Sequence, residues 1–106
     1  MLFDHRTYIV RPGTLKEQLD LYATYGFTVQ KKHLGDPLAF LVHSEGDVKN
    51  SYVHIWVYEN EADRKHKREL LYADPDWQHY NKVNKEAGYL LSQEIRLMSA
   101  ASFTNG

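Results

Sequence analysis

The sequence predicts an α+β fold whose elements run in the order βαββαβ, with an extra helix before the last strand. Residues 2–11 and 51–58 alternate with the two-residue period of strands, and helix-type spacing with recognisable start and stop residues recurs between them. The chain has 106 residues, which leaves room for one hydrophobic core. This element order is the ferredoxin-like split βαβ, an antiparallel four-stranded sheet with helices packed on one face.

In the first strand, LFDHRTYIVR, one face carries Phe3, His5, Thr7 and Ile9 and the other Asp4, Arg6, Tyr8 and Val10. Pro12-Gly13 breaks it. Thr14 is the expected N-cap of the first helix, with Glu17 completing a capping box. Leu15, Leu19, Tyr22 and Ala23 fall on its inner side, Lys16, Glu17 and Asp20 fall towards solvent, and Gly26 is the expected left-handed stop. Thr28 to Gly35 reads as a polar connection without a clear period, Leu38 to His43 as the second strand, and Ser44 to Asn50 as a hairpin loop.

The third strand, Ser51 to Tyr58, sets Val53, Ile55 and Val57 on one face and Tyr52, His54, Trp56 and Tyr58 on the other. Asn60 caps a helix running to about Tyr72, in which Glu61–Lys65 and Asp63–Lys67 are acid-before-base pairs four residues apart. Asp74 caps a third, shorter helix with Pro75 at its first position and Gly88 at its end. Leu90 to Met98 forms the last strand. Residues 99–106 form a loose tail apart from Phe103.

Helices on one face leave the other face of the sheet open. The aliphatic stripe Val53-Ile55-Val57 suits the helix-covered side. The open side then presents Tyr52, His54, Trp56 and Tyr58 with Asp4, Arg6 and Tyr8, extended by Glu94 and Arg96. Such a face is too aromatic for solvent and too polar for a dry core, so a homodimer packed sheet against sheet through this open face is expected.

Composition narrows the function. The net charge is −1, so no attraction to nucleic acid is expected, and the absence of cysteine removes disulfides, thiolate metal sites and a cysteine nucleophile. No apolar run is long enough to span a bilayer. The strand pattern starts at once, so no signal or transit segment and a cytoplasmic location are expected. The histidines lack metal-ligand spacing, and there is no glycine-rich phosphate loop or nucleophile elbow. No metal and no cofactor are therefore expected. The one basic run, Arg64-Lys-His-Lys-Arg68, reads as a solvated helix face because acids flank it.

Several blocks in order, Asp4-His-Arg-Thr-Tyr8 through Arg11-Pro-Gly13, Gln30-Lys-Lys-His-Leu-Gly35, Val53-His-Ile-Trp-Val-Tyr58, and Ala62-Asp-Arg64 followed by Ala73-Asp-Pro-Asp-Trp77, give the chain its likeness to a known family. With the weaker Ser92-Gln-Glu94, the sequence resembles the NIPSNAP family across all but its tail. The resemblance implies one NIPSNAP-like domain over 1–106 that forms a dimeric α/β barrel. That fold is shared with small heme-degrading and cofactorless monooxygenases and with muconolactone isomerases. The family is also similar to animal proteins linked to vesicle transport. The chain departs from the family pattern at Asp4, usually glutamate, at His5, usually aliphatic, and in the loop Gly46-Asp-Val-Lys-Asn50.

Arg6, Tyr8 and His54 are the candidate catalytic residues. Neighbouring first and third strands would point them into one cleft between the sheets, where arginine holds a carboxylate or enolate and histidine moves a proton. Trp56 would be a stacking wall and Tyr58 a donor, with Asp4, His33, Glu94 and Arg96 completing the lining. The plainer expectation is that Arg6 pairs with Asp4 or Glu94 and the aromatics fill the interface. The corresponding functions are a binder or enzyme for a small aromatic or carbonyl metabolite, of the cofactorless oxygenase or isomerase type, and a non-enzymatic protein-interaction or membrane-trafficking module.

Overall fold

The computed structural model describes residues 1–44 and 50–104. Strand β1 (Leu2–Val10) is followed by helices α1 (Leu15–Tyr25) and α2 (Phe27–Leu34), and then by strands β2 (Ala39–Val42) and β3 (Ser51–Tyr58). Helices α3 (Glu61–Ala73) and α4 (Pro75–Ala87) lead to strand β4 (Leu90–Met98) and a short 3-10 turn, Ser102–Thr104. The strands form one antiparallel sheet in the order β2-β3-β1-β4, so β1 and β3 are central neighbours, as the split βαβ order requires. No helix among the described residues is long and apolar enough to cross a membrane.

Both C-terminal helices start where capping chemistry dictates. Asn60 Oδ1 accepts the Asp63 N–H at 2.9 Å, and Asp74 Oδ1 accepts the Asp76 N–H at 2.9 Å with Pro75 opening α4. Gly88, at φ 69°, closes α4 in the left-handed region. Helix α4 is as long as α3, 13 residues each, rather than shorter. The Asp63–Lys67 pair forms, whereas Glu61 pairs with Arg64 instead of Lys65.

The first crossover differs from expectation. Within Thr28 to Gly35, residues 28–34 are not a connection but most of helix α2, which buries Val29, Gln30 and Leu34 and is capped by Gly35. Its apolar face is short and includes a glutamine, so the surrounding polar residues hide the period. Thr14 does not cap α1: its Oγ1 donates back to the Arg11 carbonyl at 2.7 Å. Gly26 is not a left-handed stop either, for its φ is −112° and it joins α1 to α2 within the right-handed region. Its role is closeness, since a Cβ there would lie 2.9 Å from the Tyr80 ring on α4.

The largest correction concerns the two faces of the sheet. Asp4, Arg6 and Tyr8 lie opposite Trp56, His54 and Tyr52 in the β1–β3 ladder, and this polar-aromatic face packs beneath the helices. Phe3, Thr7, Val53, Ile55 and Val57 are on the open side and are only half-buried. The helices explain the inversion, because they offer the sheet polar and aromatic partners alongside Val29, Leu34 and Leu71. Gln18 donates to Tyr52 Oη at 3.2 Å, Arg68 donates to Tyr58 Oη at 3.3 Å, and Tyr22, Trp77 and Tyr80 join Trp56 and Tyr58 in the core.

The expected hairpin loop falls mostly on residues 45–49, outside the described residues. Phe103 does not anchor the tail, being 88% exposed.

Candidate cavity between the helices and the sheet

Three arginines converge on one carboxylate. Asp4, fully buried on β1, receives Arg6 Nε at 2.9 Å on Oδ1 and Arg6 Nη2 at 3.2 Å on Oδ2. Arg64 Nε reaches the same Oδ2 at 2.9 Å, and Arg68 Nη1 stands 4.0 Å from it. Burial pulls the Asp4 carboxyl upward, but the hydrogen bonds from Arg6 and Arg64 and the charge of Arg68 hold it below the usual carboxylate range. Burial likewise works against the Arg6 charge, and Asp4 with Tyr8 outweighs it, so the guanidinium is charged at every accessible pH. Arg64 also pairs with Glu61 at 3.0 Å, and the guanidiniums still outnumber the carboxylates.

The surplus positive charge borders a cavity of about 230 Å³ between α3, α4 and the β1–β4 half of the sheet. Arg6 and Arg68 line it with Tyr8, Tyr22, Tyr72, Trp77 and Tyr80, while Asn81, Asn84, Leu90 and Gln93 complete its wall. The sheet-side residues follow from register, since Tyr8 lies opposite Gln93 and Val10 opposite Leu90. The helix-side residues Trp77, Tyr80 and Asn84 recur at three and four positions, the spacing of one helix face. Arg68 Nε donates to Tyr72 Oη at 2.7 Å, which tethers that exposed residue to the buried guanidinium.

The phenols of Tyr22, Tyr52, Tyr58 and Tyr80 all titrate above the ordinary tyrosine value, because burial disfavours phenolate; Arg68 opposes this at Tyr22 and Tyr58, and Gln18 at Tyr52 and Tyr80. They are hydrogen-bond donors at neutral pH, not bases. The arrangement can therefore hold an anion or a developing oxyanion beside aromatic walls.

Of the residues singled out from the sequence, Arg6 and Tyr8 line this cavity. Asp4 and Tyr58 stand behind them as partners of Arg6 and Arg68. His54 is in the core instead. It is fully buried, stacked on Phe40 with centroids 5.0 Å apart, and its Nδ1 accepts Trp56 Nε1–H at 2.7 Å. Burial and the Arg6 charge push its pKa down to about 3, so it is a neutral packing residue without the freedom of a general base. Trp56 shares that core and is not a wall of the cavity.

His33 is on α2, where Nε2 meets Asp74 Oδ2 at 2.8 Å and ties α2 to the start of α4. Glu94 and Arg96 pair with each other at 2.7 Å on the exposed open face of β4, away from Arg6. The expectation that Arg6 pairs with Asp4 rather than stands free is met, yet Arg6 also reaches the cavity. Reading residues 64–68 as a solvated face missed Arg68 and Arg64. The signal was their spacing: Arg64, Arg68 and Leu71 sit at i, i+4 and i+7, the pattern of an inward helix face.

Comparison with known proteins bears on the whole chain. The NIPSNAP family model matches residues 3–105. A solved structure from Agrobacterium tumefaciens superposes with a TM-score of 0.85 at 31% identity, covering 97% of this chain and 96% of that one. A NIPSNAP domain protein from Burkholderia xenovorans gives 0.86 at 30% identity, covering 97% of both chains. A cofactor-independent oxygenase from Streptomyces nogalater shares the fold at a TM-score of 0.57 and 15% identity, over 93% of this chain and 91% of that one. No curated protein matches.

Proposed function

From the premise that the chain belongs to the NIPSNAP family, we propose that it binds, and stabilises as an anion, a small aromatic or carbonyl-bearing metabolite in the cavity bordered by Arg6, Tyr8 and Arg68. One observation carries this reading: two buried guanidiniums, in excess of the carboxylates that pair with them, line a cavity whose other walls are aromatic. A buried cationic surplus calls for an anionic partner, and bidentate guanidinium geometry suits carboxylate or enolate. The volume is small against the few hundred cubic ångströms or more of most ligand pockets and fits a single ring.

If the bound metabolite reacts, Arg6 and Arg68 would stabilise the enolate or oxyanion, and the Tyr8 and Tyr72 phenols would donate to it. This is the work a cofactor-independent oxygenase or isomerase asks of its protein, and the shared fold with the Streptomyces oxygenase accords with it. The reading includes a homodimer in the cytoplasm. Its seam would be the open side of the sheet, centred on the half-buried Phe3, Val53, Ile55 and Val57, while the cavity would lie within each protomer on the other side.

Thermal-shift screening of aromatic carboxylates and β-dicarbonyl compounds tests the binding. The melting temperature of the unaltered protein should rise with at least one class, and Arg68→Met should lose that rise. A panel that leaves the melting temperature unmoved would remove the metabolite reading.

A further inference from the structure

Resting on the anion-binding reading, we infer that the cavity selects ligands that bring their own acidity. These are weak acids such as electron-poor phenols or β-dicarbonyl compounds, which bind as the anion and give their proton to solvent rather than to the protein. The cavity wall can hold negative charge, yet no side chain on it is built to take a proton. Arg6 and Tyr8 face the space from β1, Tyr22 from α1, Arg68 and Tyr72 from α3, and Tyr80 from α4, while β4 contributes only Leu90 and Gln93. Among the described residues the wall has no carboxylate, histidine or lysine. A guanidinium has no site for a further proton, and a phenol at neutral pH already carries its own. Burial holds the phenols of Tyr22 and Tyr80 above the ordinary tyrosine value, which keeps them donors.

The two proton acceptors behind the wall are already engaged. Asp4 is fully buried, with Oδ1 taken by Arg6 and Oδ2 by Arg6 and Arg64, so a proton there would strip three guanidiniums of their shared counter-ion. The lone pair of His54 is on Nδ1, which accepts Trp56 Nε1–H at 2.7 Å, and Nε2 therefore carries the ring hydrogen and is covered by the core. Neither group can relay a proton from the cavity. When a ligand ionises here, its O–H or C–H bond breaks, the electron pair stays on the ligand as a delocalised oxyanion, and the proton passes to water. The protonation state of the protein is unchanged. Arg6 and Arg68 favour the anion over its parent acid, so the bound ligand is the stronger acid. A simple ketone, whose α-hydrogen needs a protein base, is outside this class.

Three probes of the unaltered protein test this: 4-nitrophenol, whose phenolate absorbs visible light, the non-ionising 4-nitroanisole, and 4-nitrobenzoate as a carboxylate already ionised. Absorbance reports which form of the phenol is bound. Calorimetry about one pH unit below the phenol's own pKa, in buffers of different ionisation heat, reports where its proton goes. The bound phenol should be the phenolate, with its pKa lowered by at least about one unit, a tenfold preference for the anion. Close to one proton per ligand should reach the buffer, and 4-nitroanisole should bind at least about tenfold more weakly. Binding as the neutral phenol, or equal binding of the anisole, overturns the inference. So does ionisation without proton release, which would put the proton on a protein group. Failure of 4-nitrophenol to bind where 4-nitrobenzoate does overturns the inference and leaves the anion site standing. Failure of both acids overturns the two together.

Discussion

Arg6 and His54 are directly opposite each other in the β1–β3 ladder, yet only Arg6 reaches the cavity. The arginine turns towards Asp4 and the space below α3, while the imidazole is closed in by Phe40, Trp56 and the edge of Tyr8, whose ring centroid is 4.7 Å away. A permanent cation beside a buried imidazole keeps the imidazole neutral. One strand pair thus supplies both a charged wall for the cavity and a neutral packing residue for the core.

This arrangement makes the fold acid-sensitive in a definite range. His54 has its folded-state pKa pushed down to about 3, so the unfolded chain, near the ordinary 6.5, takes up the proton first as pH falls. Its contribution is complete above pH 6.5 and declines by up to about 1.4 kcal/mol per pH unit between roughly 6.5 and 3. The depressed carboxyls of Asp4 and Asp74, by contrast, lose their contribution only as pH falls below the ordinary carboxylate value. Urea denaturation at about pH 6 and about pH 4.5 should therefore show falling stability in the unaltered protein. His54→Gln, which keeps an acceptor for Trp56, should flatten that slope. An identical slope in both proteins would show that His54 does not titrate as described.

Asp4 is the counter-ion of the whole cluster. Asp4→Asn leaves Arg6, Arg64 and Arg68 facing one another without their shared carboxylate. The expected loss of stability is about 3–5 kcal/mol, the range for breaking a buried ion pair from one side. Chemical denaturation measures it, and a loss below about 1 kcal/mol, the scale of a surface pair, would mean the cluster is solvated.

Gly26→Ala tests the α1–α4 contact. The added methyl would meet the Tyr80 ring at 2.9–3.1 Å, and that ring is fixed by Tyr22 and Trp77 rather than free to swing away. Overpacking of this kind costs about 1–3 kcal/mol. Because Tyr80 also lines the cavity, ligand affinity should fall with stability. An unchanged melting temperature would refute the close packing.

The open side of the sheet predicts the dimer. Ile55→Lys places a charge in the middle of the proposed seam without touching the cavity side. Sedimentation at micromolar concentration should show a dimer for the unaltered protein and a monomer for the variant. A monomeric unaltered protein would dismiss the seam.

Much of the scaffold was legible in the chain. The β1–β3 pairing, the Asn60 and Asp74 caps and the Gly88 stop each rest on local chemistry, and each is found where that chemistry puts it. Which side of the sheet the helices cover was not legible. Alternation in β1 and β3 separates two faces but does not say which is inside, and the usual preference for aliphatic cores pointed the wrong way. The deciding residues, Gln18, Arg68, Trp77 and Tyr80, are on helices, and their partners on the sheet become visible only in three dimensions. Half of the candidate site was legible for the same reason: Arg6 and Tyr8 belong to a clear strand, whereas Arg68 was hidden in a basic run and Asn84 in a polar helix.

The central claim is that the cavity holds a small anion through Arg6 and Arg68. Calorimetric titration of matched pairs, an aromatic carboxylate and its uncharged carboxamide, isolates that charge. The carboxylate should bind the unaltered protein at least about tenfold more tightly than the amide, and Arg68→Met should abolish the difference. Equal affinity of acid and amide, or a preference for the acid that persists without Arg68, would contradict it.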